Sequence, residues 1–335
     1  MPLGQLTQVL RDIAQASDPR LLVGPETVDD AGVVLLGEAE GVPGPGIALV
    51  QTVDYFPPVL DDPYLYGAVA AANSLSDVYA MGGRALSALN IAGFPKDFSP
   101  EWIREIFRGG FDKVRESGAV IAGGHTVQSP EPMFGFAVTG LVDRARMTAN
   151  SGARAGDVLY LTKALGMGSI TTAGKQRKVD PEVVRAAALQ MATLNRAAAE
   201  AMTAAGARAC TDITGFGLTG HARNIALASG VTLRFHTGAL PLFPHAQELA
   251  RQGVVSGASG RGKANLREVV SIAPEADRAI VDICFDAETS GGLLIVIPAA
   301  QAATLERELA ARGVPVHRVG EVVPRAGEHL VELAP

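Results

Sequence analysis

The chain has 335 residues and a net charge of −6 at pH 7, because 29 Lys and Arg stand against 35 Asp and Glu. Hydrophobic residues make up 47% and aromatic residues 5% of it, which is typical of a globular α/β protein and excludes a disordered or coiled chain. Cations form no long block, so the sequence disfavours a nucleic-acid partner. The length favours about two domains.

The start of the chain lacks the basic and apolar regions of a signal peptide, and no apolar run reaches the length of about 18 residues that a membrane span needs. We therefore predict a cytoplasmic protein without a membrane partner. Cys210 and Cys284 are too few for a disulfide framework and lack metal-ligand spacing. Both are interpreted as small buried hydrophobic residues.

Strand-like and helix-like stretches alternate in the first half of the chain. Residues 47–53 are a β-branched run that predicts a strand, and residues 65–81 carry apolar side chains at helical spacing before a Gly pair. Ser99 and Pro100 predict the start of a second helix that runs to about Ser117. Two further strands are predicted at residues 118–122 and 133–142.

A polar segment rich in small residues, 144–156, marks the predicted domain boundary. It divides the chain into an N-terminal domain of residues 1–152 and a C-terminal α/β domain of residues 153–335. We expect the second domain to begin with a strand at residues 158–162 and a Gly-rich turn at 165–168.

Further elements follow in the second half of the chain. Residues 181–205 predict one long Ala-rich helix, and residues 257–263 predict a mobile surface loop. A β-α-β pattern closes the chain, with its parts at residues 291–298, 299–312 and 314–323.

Four aspartates stand at places where strands, turns and helices meet. Asp212 opens a Gly-rich turn into a helix, Asp54 follows a strand-like run, and Asp77 shares a helix face with Asn73. Magnesium prefers oxygen ligands and bridges carboxylates to phosphates, so we predict Asp30, Asp77 and Asp212 as metal ligands and Asp54 and Asn73 as second choices. Taken singly, each Asp is more typical of a helix or turn cap; taken as a set, they favour a metal site.

The sequence contains neither a P-loop nor a dinucleotide-binding fingerprint, so any nucleotide is bound in another way. Gly123, Gly124, His125 and Thr126 follow a strand and predict a turn whose N–H groups bind phosphate, although a Gly pair there is also typical of a plain turn. Lys163 ends a strand, where it is either a phosphate-facing cation or a solvated lysine.

Two histidines, His125 and His221, lie inside Gly-rich motifs. For both, a structural hydrogen bond is favoured over acid–base work.

Together these motifs resemble the selenophosphate synthetase family, also called selenide, water dikinases. The resemblance covers nearly the whole length, and its seven motifs stand in the family's order. They are Glu26-Thr27-Val28-Asp29-Asp30-Ala31, Thr52-Val53-Asp54, Ala71-Ala72-Asn73-Ser74-Leu75-Ser76-Asp77-Val78-Tyr79-Ala80-Met81-Gly82-Gly83, Gly123-Gly124-His125, Leu161-Thr162-Lys163, Thr211-Asp212-Ile213-Thr214-Gly215-Phe216-Gly217 and Thr289-Ser290-Gly291-Gly292.

The resemblance implies an α/β (α+β) subunit of the aminoimidazole ribonucleotide synthetase-like fold, shared with thiamine-monophosphate kinase and a hydrogenase-maturation protein. Its N-terminal mixed sheet would form a barrel within a homodimer. The implied reaction converts ATP, selenide and water into selenophosphate, AMP and phosphate with Mg²⁺. The metal would be held by Asp30, Asp77 and Asp212, with the nucleotide near Asp54, Asn73, Lys163 and the turn formed by Gly123, Gly124, His125 and Thr126.

One departure from the family concerns the start of the chain. Family members carry a reactive Cys or selenocysteine there, with an essential Lys a few residues later, and this sequence resembles the part that follows the Lys. Neither Cys210 nor Cys284 matches the nucleophile. We therefore expect the chain as given to bind Mg-ATP and to make little selenophosphate. Two alternatives stay open: another small-molecule kinase of the superfamily, which would release ADP, and a catalytically silent ATP-binding protein.

Overall fold

The computed structural model describes residues 18–25, 28–44, 46–325 and 327–335. The start of the chain, to which the expectation about the missing Cys and Lys refers, lies outside the described residues, as do Glu26 and Thr27 of the first motif. The described chain is built around two mixed β-sheets, so the expected α/β fold with an N-terminal mixed sheet is confirmed. The boundary between residues 152 and 153 stays a prediction.

The N-terminal sheet has six strands in the described part of the chain. They are β1 (Leu21–Val23), β2 (Gly32–Leu36), β3 (Ile47–Phe56), β4 (Arg84–Phe94), β5 (Val120–Gln128) and β6 (Met133–Val142). Their order in the sheet is β1-β2-β3-β6-β4-β5. Neighbouring strands are antiparallel except β4 and β5, which run parallel.

Two helices pack on one face of this sheet, α1 (Pro63–Ala80) and α2 (Pro100–Glu116). Helix α2 begins as the sequence predicts, with Ser99 as its cap and Pro100 in its first turn. Helix α1 begins in the same way with Asp62 and Pro63, two residues before the predicted start. Every residue of α1 from Tyr66 to its end is buried, because the helix lies between the N-terminal sheet and the second half of the chain.

The C-terminal sheet has seven strands among the described residues. They are β7 (Asp157–Leu161), β8 (Ala209–Asp212), β9 (Val231–His236), β10 (Val270–Ile272), β11 (Leu293–Pro298), β12 (His317–Pro324) and β13 (Val331–Ala334). Their order in the sheet is β10-β13-β9-β12-β7-β11-β8. The helices of this half are α3 (Met167–Lys175), α4 (Pro181–Met191), α5 (Arg196–Ala205), α6 (Gly217–Ser229), α7 (Ala246–Arg251), α8 (Gly257–Leu266), α9 (Arg278–Cys284) and α10 (Ala302–Ala311).

Helix α1 contributes to both hydrophobic cores of the molecule. Ala68 and Val69 pack with the C-terminal core, whereas Ala71 and Leu75 pack with the core of the N-terminal sheet. Since side chains of β11 such as Ile295 also enter the second core, the two halves share their interior. The polar residues of α1 are thereby held at a fixed place between them.

The single helix predicted over residues 181–205 is wrong, because the chain forms α4 and α5 with a break between them. In the break, the Thr193 carbonyl accepts a hydrogen bond from Lys163, and the Asn195 side chain turns inward to donate to Ser76 and Gly291. Helical spacing of the Ala residues continues across the break, so periodicity alone could not reveal it.

The mobile loop predicted at residues 257–263 is also wrong, because this segment is helix α8. Ser256 caps the helix through the N–H of Ala258 and is itself fixed by Asp286, whose Oδ1 accepts from the Ser256 hydroxyl at 2.5 Å. Lys263 pairs with Asp282. These tertiary contacts override the low helix propensity of the glycines.

None of the helices in the described part of the chain combines the length and apolar character needed to cross a bilayer.

Candidate metal and nucleotide site

Four aspartates from distant parts of the sequence meet between the two sheets. Asp30 lies just before β2, Asp54 on β3, Asp77 on α1 and Asp212 at the end of β8. A carboxylate oxygen of Asp30 and one of Asp212 lie within 4.8 Å of each other. Burial and then the charge of Asp212 raise the pKa of both Asp30 and Asp77. The structure therefore brings together the four aspartates that the sequence selected.

The tightest part of the group joins Asp30 to Asp212. One ligand atom each from Asp30, Asp212 and His221 lie within 4.8 Å of one another. Thr211 donates its hydroxyl to Asp30 Oδ1 at 2.7 Å. The other oxygen of Asp30 and Oδ2 of Asp212 are buried and have no hydrogen-bond partner among the described residues. Unpaired buried carboxylate oxygens are costly unless a cation binds them.

His221 holds this arrangement in a defined tautomer. The Thr214 N–H donates to Nε2 at 3.2 Å, so Nε2 is unprotonated and Nδ1 carries the hydrogen. Nδ1 lies 3.3 Å from the Thr211 hydroxyl, which it orients toward Asp30. Burial lowers the pKa of His221 to about 4, so the ring is neutral at pH 7. The structural role expected for His221 agrees with this geometry.

Asp54 and Asp77 form the second part of the group. Asn73 Nδ2 donates to Asp54 Oδ2 at 2.7 Å, and the Thr52 hydroxyl donates to Asp77 Oδ2 at 2.5 Å. Ser74 donates its hydroxyl to the Asp54 carbonyl oxygen at 2.9 Å and accepts from the Phe136 N–H. Strand β3 and helix α1 are therefore fixed to each other at the level of the two carboxylates.

Three side-chain contacts join α1 to the C-terminal half beside the carboxylates. The Ser290 N–H donates to Asn73 Oδ1 at 2.9 Å. Asn195 Nδ2 donates to Ser76 Oγ at 2.8 Å and to the Gly291 carbonyl at 2.9 Å. Ser76 in turn hydrogen-bonds Asp212. Ser290 has φ of 49°, a conformation that costs energy for a residue other than Gly and that clusters at functional sites.

Lys163 lies beside the group and is only 7% exposed. Its Nζ donates to the Thr193 and Ser290 carbonyls at 2.7 and 2.9 Å. Burial lowers the pKa of Lys163 to about 7, and the negative charge of Asp212 opposes that shift. The buried, hydrogen-bonded amine corrects the alternative of a solvated lysine, and its contact with phosphate stays a prediction.

The carboxylates are strongly perturbed because they are buried next to one another. Burial raises the pKa of Asp212 to about 7 and that of Asp54 to about 6. The pKa values of Asp30 and Asp77 are raised well above the usual range, first by burial and then by Asp212. A site of this kind binds either protons or cations at neutral pH.

The segment from Gly123 to Thr126 is not a turn, because β5 continues through it as the edge strand beside β4. A register shift between Ala88 and Leu89 accommodates Gly123, whose φ is 133°. A Cβ on Gly124 would overlap Asn90, so the Gly pair allows close strand contact. Two strands, β6 and β4, separate β5 from β3 and its Asp54. A nucleotide contact of this segment stays a prediction.

The sequence reasoning missed several residues that fix the carboxylates. Thr52 and Thr211 each lie within two residues of a selected aspartate in a quoted motif. Their hydroxyls were the sequence signal from which a hydrogen bond to a carboxylate could have been predicted. Asn195 gave a weaker signal, since an Asn within an Ala-rich helical pattern is typical of a helix N-terminus.

Comparisons with known proteins identify relatives over most of the chain. Residues 28–142 match the N-terminal domain and residues 154–332 the C-terminal domain of AIR synthase related proteins. The chain is 48% identical over 304 residues to the selenide, water dikinase of Caldanaerobacter subterraneus subsp. tengcongensis, covering 91% of this chain and 86% of the relative. It is 45% identical to the selenide, water dikinase of Geobacter metallireducens, covering 96% and 92%.

Among solved structures, the protein tt0281 from Thermus thermophilus superimposes with a TM-score of 0.75 and 23% identity, covering 99% of this chain and 98% of that one. This likeness shows the fold.

Proposed function

Because this chain belongs to the selenide, water dikinase family, we propose that it serves the ATP-dependent synthesis of selenophosphate from selenide and water, with AMP and phosphate as the other products. The observation that carries the proposal in the structure is the pair of buried carboxylate oxygens without partners, Asp30 Oδ2 and Asp212 Oδ2, within the described residues. ATP as a substrate would bring divalent cations that these oxygens can bind.

The donor atoms of the site fit magnesium. The group offers several carboxylate oxygens and no thiolate among the described residues, and His221 has both ring nitrogens engaged. Hard oxygen ligands suit Mg²⁺. We propose Asp30, Asp77 and Asp212 as its ligands, with Asp54 beside them. When bound, magnesium would link these carboxylates to the phosphates of ATP and neutralise charge on the phosphoryl group in transfer.

The remaining residues of the site hold its donors in place. Thr211 occupies one oxygen of Asp30 and Thr52 occupies one oxygen of Asp77, so each carboxylate keeps its orientation. Asn73 fixes Asp54 and takes the N–H of Ser290, which ties the site to the second half. Such positioning contributes to phosphoryl transfer because the reaction depends on alignment and charge stabilisation.

The proposal includes a homodimer formed by the outer face of the N-terminal sheet. Val53, Ala137 and Leu89 lie side by side on β3, β6 and β4. Val53 is 54% and Leu89 is 46% exposed, and Tyr55 on the same face is 52% exposed. A contiguous apolar sheet face left open to solvent is typical of a protein interface. The cytoplasmic location stays a prediction from the sequence.

The reaction is tested by anaerobic phosphorus NMR of the protein with ATP, magnesium and selenide. We expect the signals of selenophosphate, AMP and phosphate to appear together and in small amount, because the sequence matches neither the reactive Cys nor the essential Lys of the family. Accumulation of ADP would instead assign the chain to another kinase of the superfamily. An unchanged spectrum would contradict turnover by this chain. Calorimetric titration with Mg-ATP would then measure the affinity for Mg-ATP independently of turnover.

A further inference from the structure

A cavity lies apart from the cluster of four aspartates. Its volume is about 1180 Å³, and it opens between one end of the N-terminal sheet and helix α5 (Arg196–Ala205). Ligand cavities typically measure about 300 to 1,000 Å³, so this one accommodates a small organic molecule. The residues described along its wall include none of Asp30, Asp54, Asp77 and Asp212.

Arginines dominate the polar part of the cavity wall. Arg84 begins β4, Arg144 follows β6, and Arg146 and Arg196 complete the set. Arg196 pairs with Glu200 at 2.8 Å, and Arg146 lies 3.8 Å from Asp143. For Arg84 and Arg144, the described part of the chain supplies no ion-pair partner. These two guanidinium groups make the cavity electropositive in a protein whose net charge is −6.

Arg84 and Arg144 line the same cavity from neighbouring strand ends of the sheet. Arg84 pairs in register with Leu141 on the neighbouring strand β6, and Arg144 follows three residues later in the chain. Guanidinium groups present several N–H donors in a planar fork that matches phosphate oxygens, often with two hydrogen bonds at once. Two such groups at one cavity favour a phosphate group over a monoanion such as a single carboxylate.

Tyr79 supplies an independent polar feature of the same cavity. It lines the wall and is only 2% exposed, and the side chain of Ser117, which lines the same wall, is its hydrogen-bonding neighbour. The phenol therefore presents its polar end at the cavity beside a second hydroxyl. An apolar wall formed by Ile47, Leu141 and Ala199 stands beside it, so the cavity offers surface for a carbon skeleton as well as donors for an anion.

We propose that this cavity binds a phosphorylated organic molecule, with Arg84 and Arg144 on the phosphate and the Tyr79 hydroxyl as a further hydrogen-bonding group. The site is separate from the carboxylate group and goes beyond the proposed reaction. Tyr79 lies two residues after Asp77 on helix α1, so both sites are attached to the same buried helix.

The test is calorimetric titration of the full chain with AMP and with inorganic phosphate in the presence of EDTA. Without divalent cations the four aspartates lack the ions that would link them to a phosphate, which leaves the arginine cavity as the expected binding place. We expect AMP to bind more tightly than inorganic phosphate. The double variant Arg84→Ala/Arg144→Ala should lose at least about tenfold in AMP affinity, since two charge-assisted contacts are removed.

Two further variants sharpen the result. Tyr79→Phe should weaken AMP binding several-fold, because it removes one hydroxyl and leaves the ring. Arg325→Ala removes an exposed arginine elsewhere and should leave the affinity unchanged. The proposal is overturned if AMP fails to bind at millimolar concentration, if the double variant binds it like the wild type, or if inorganic phosphate binds as tightly as AMP. Thermal melting confirms that the double variant is folded.

Discussion

Asp212 is 1% exposed and surrounded by other carboxylates, so its charge is unfavourable until a cation arrives. We expect Asp212→Asn to reduce the affinity for Mg-ATP by about 100-fold or more, because a ligand oxygen loses its charge. The same change should raise the free energy of unfolding of the metal-free protein at pH 8, since mutual repulsion falls. Calorimetry and urea unfolding measure the two effects.

The control for this prediction is Asp97→Asn, which neutralises an exposed aspartate in the turn after β4, outside both sites. It should change neither property. Retention of wild-type Mg-ATP affinity by Asp212→Asn would show that this residue only caps the turn before α6, because Asn also caps well.

Asn195 acts on the site through another residue. Its Nδ2 donates to Ser76 Oγ, which leaves the Ser76 hydroxyl hydrogen free for Asp212. We expect Asn195→Ala to lower Mg-ATP affinity by about tenfold, as loss of an indirect positioning contact does at metal sites. Asn195→Asp should be at least as harmful, because it places an acceptor against the Gly291 carbonyl.

The matched control is Asn224→Ala, which removes another buried asparagine, 8% exposed, outside the site. If Asn195→Ala and Asn224→Ala lose the same stability while both keep full Mg-ATP affinity, Asn195 is a packing residue and the positioning role is wrong.

Glu288 gives the stability of the protein a pH dependence. It is 2% exposed, accepts the N–H groups of Gly166 and Met167 at 2.6 and 3.0 Å, and has its pKa raised by burial to about 8. Between pH 4.5, its ordinary pKa, and pH 8, the folded protein holds a proton that the unfolded chain has released. The stabilisation is therefore complete below pH 4.5 and is lost as the pH rises through 8.

We expect the wild type to lose about 2 kcal/mol more unfolding free energy than Glu288→Gln between pH 6 and pH 8. Glutamine removes the titration and keeps the shape. Urea unfolding at a series of pH values gives both curves, and parallel curves would contradict the assignment.

At the level of elements, the crossing of α1 and α2 depends on glycine. A Cβ added to Gly109 of α2 would overlap the Tyr64 carbonyl of α1, so the helices approach closely only without a side chain there. We expect Gly109→Ala to destabilise the protein by about 1 to 3 kcal/mol, the usual effect of overpacking. Thermal and urea unfolding measure this change.

Gly260→Ala, in helix α8 of the C-terminal half, should have the opposite effect on stability. A Cβ at Gly260 in α8 meets no atom within 4 Å. Because Ala restricts the unfolded chain and favours helix, it should stabilise by about 0.5 to 1 kcal/mol. Equal effects of the two substitutions would refute the steric explanation for Gly109.

Elements with local signals could be predicted from the sequence. Helix α1 was expected over residues 65–81 and spans Pro63–Ala80, and strand β6 was expected and found at Met133–Val142. The break between α4 and α5, the helix α8 and the continuation of β5 past Gly123 could not be predicted in this way. Each depends on a contact with a distant segment, such as Asn195 with Gly291.

In the candidate site too, residues with a local sequence signal could be predicted and those that depend on distant contacts could not. The aspartates were selectable because their motifs are local, and the structure places them together. Their partners were not selectable, since Thr211 and Asp30 are separated by 181 residues in the sequence. Only the fold shows that Lys163 is buried against two carbonyls.

For the whole molecule, the exposed face of the N-terminal sheet predicts the oligomeric state. Val53→Lys should convert the dimer to a monomer or weaken its association at least about tenfold, because a charge at a buried interface centre is unfavourable. Leu189→Lys is the matched control, since Leu189 is 53% and Val53 is 54% exposed. Light scattering after size-exclusion chromatography measures both masses, and a wild-type monomer would refute the proposed interface.

The contacts that hold the four aspartates together also determine when their cluster can form during protein synthesis. Ser290, whose N–H fixes Asn73, is translated 217 residues after it. Domains generally fold from the N-terminus as they leave the ribosome, so the first three aspartates are displayed on a growing chain long before Asp212 and Ser290 emerge. A nascent or prematurely terminated polypeptide therefore lacks the assembled cluster of aspartates.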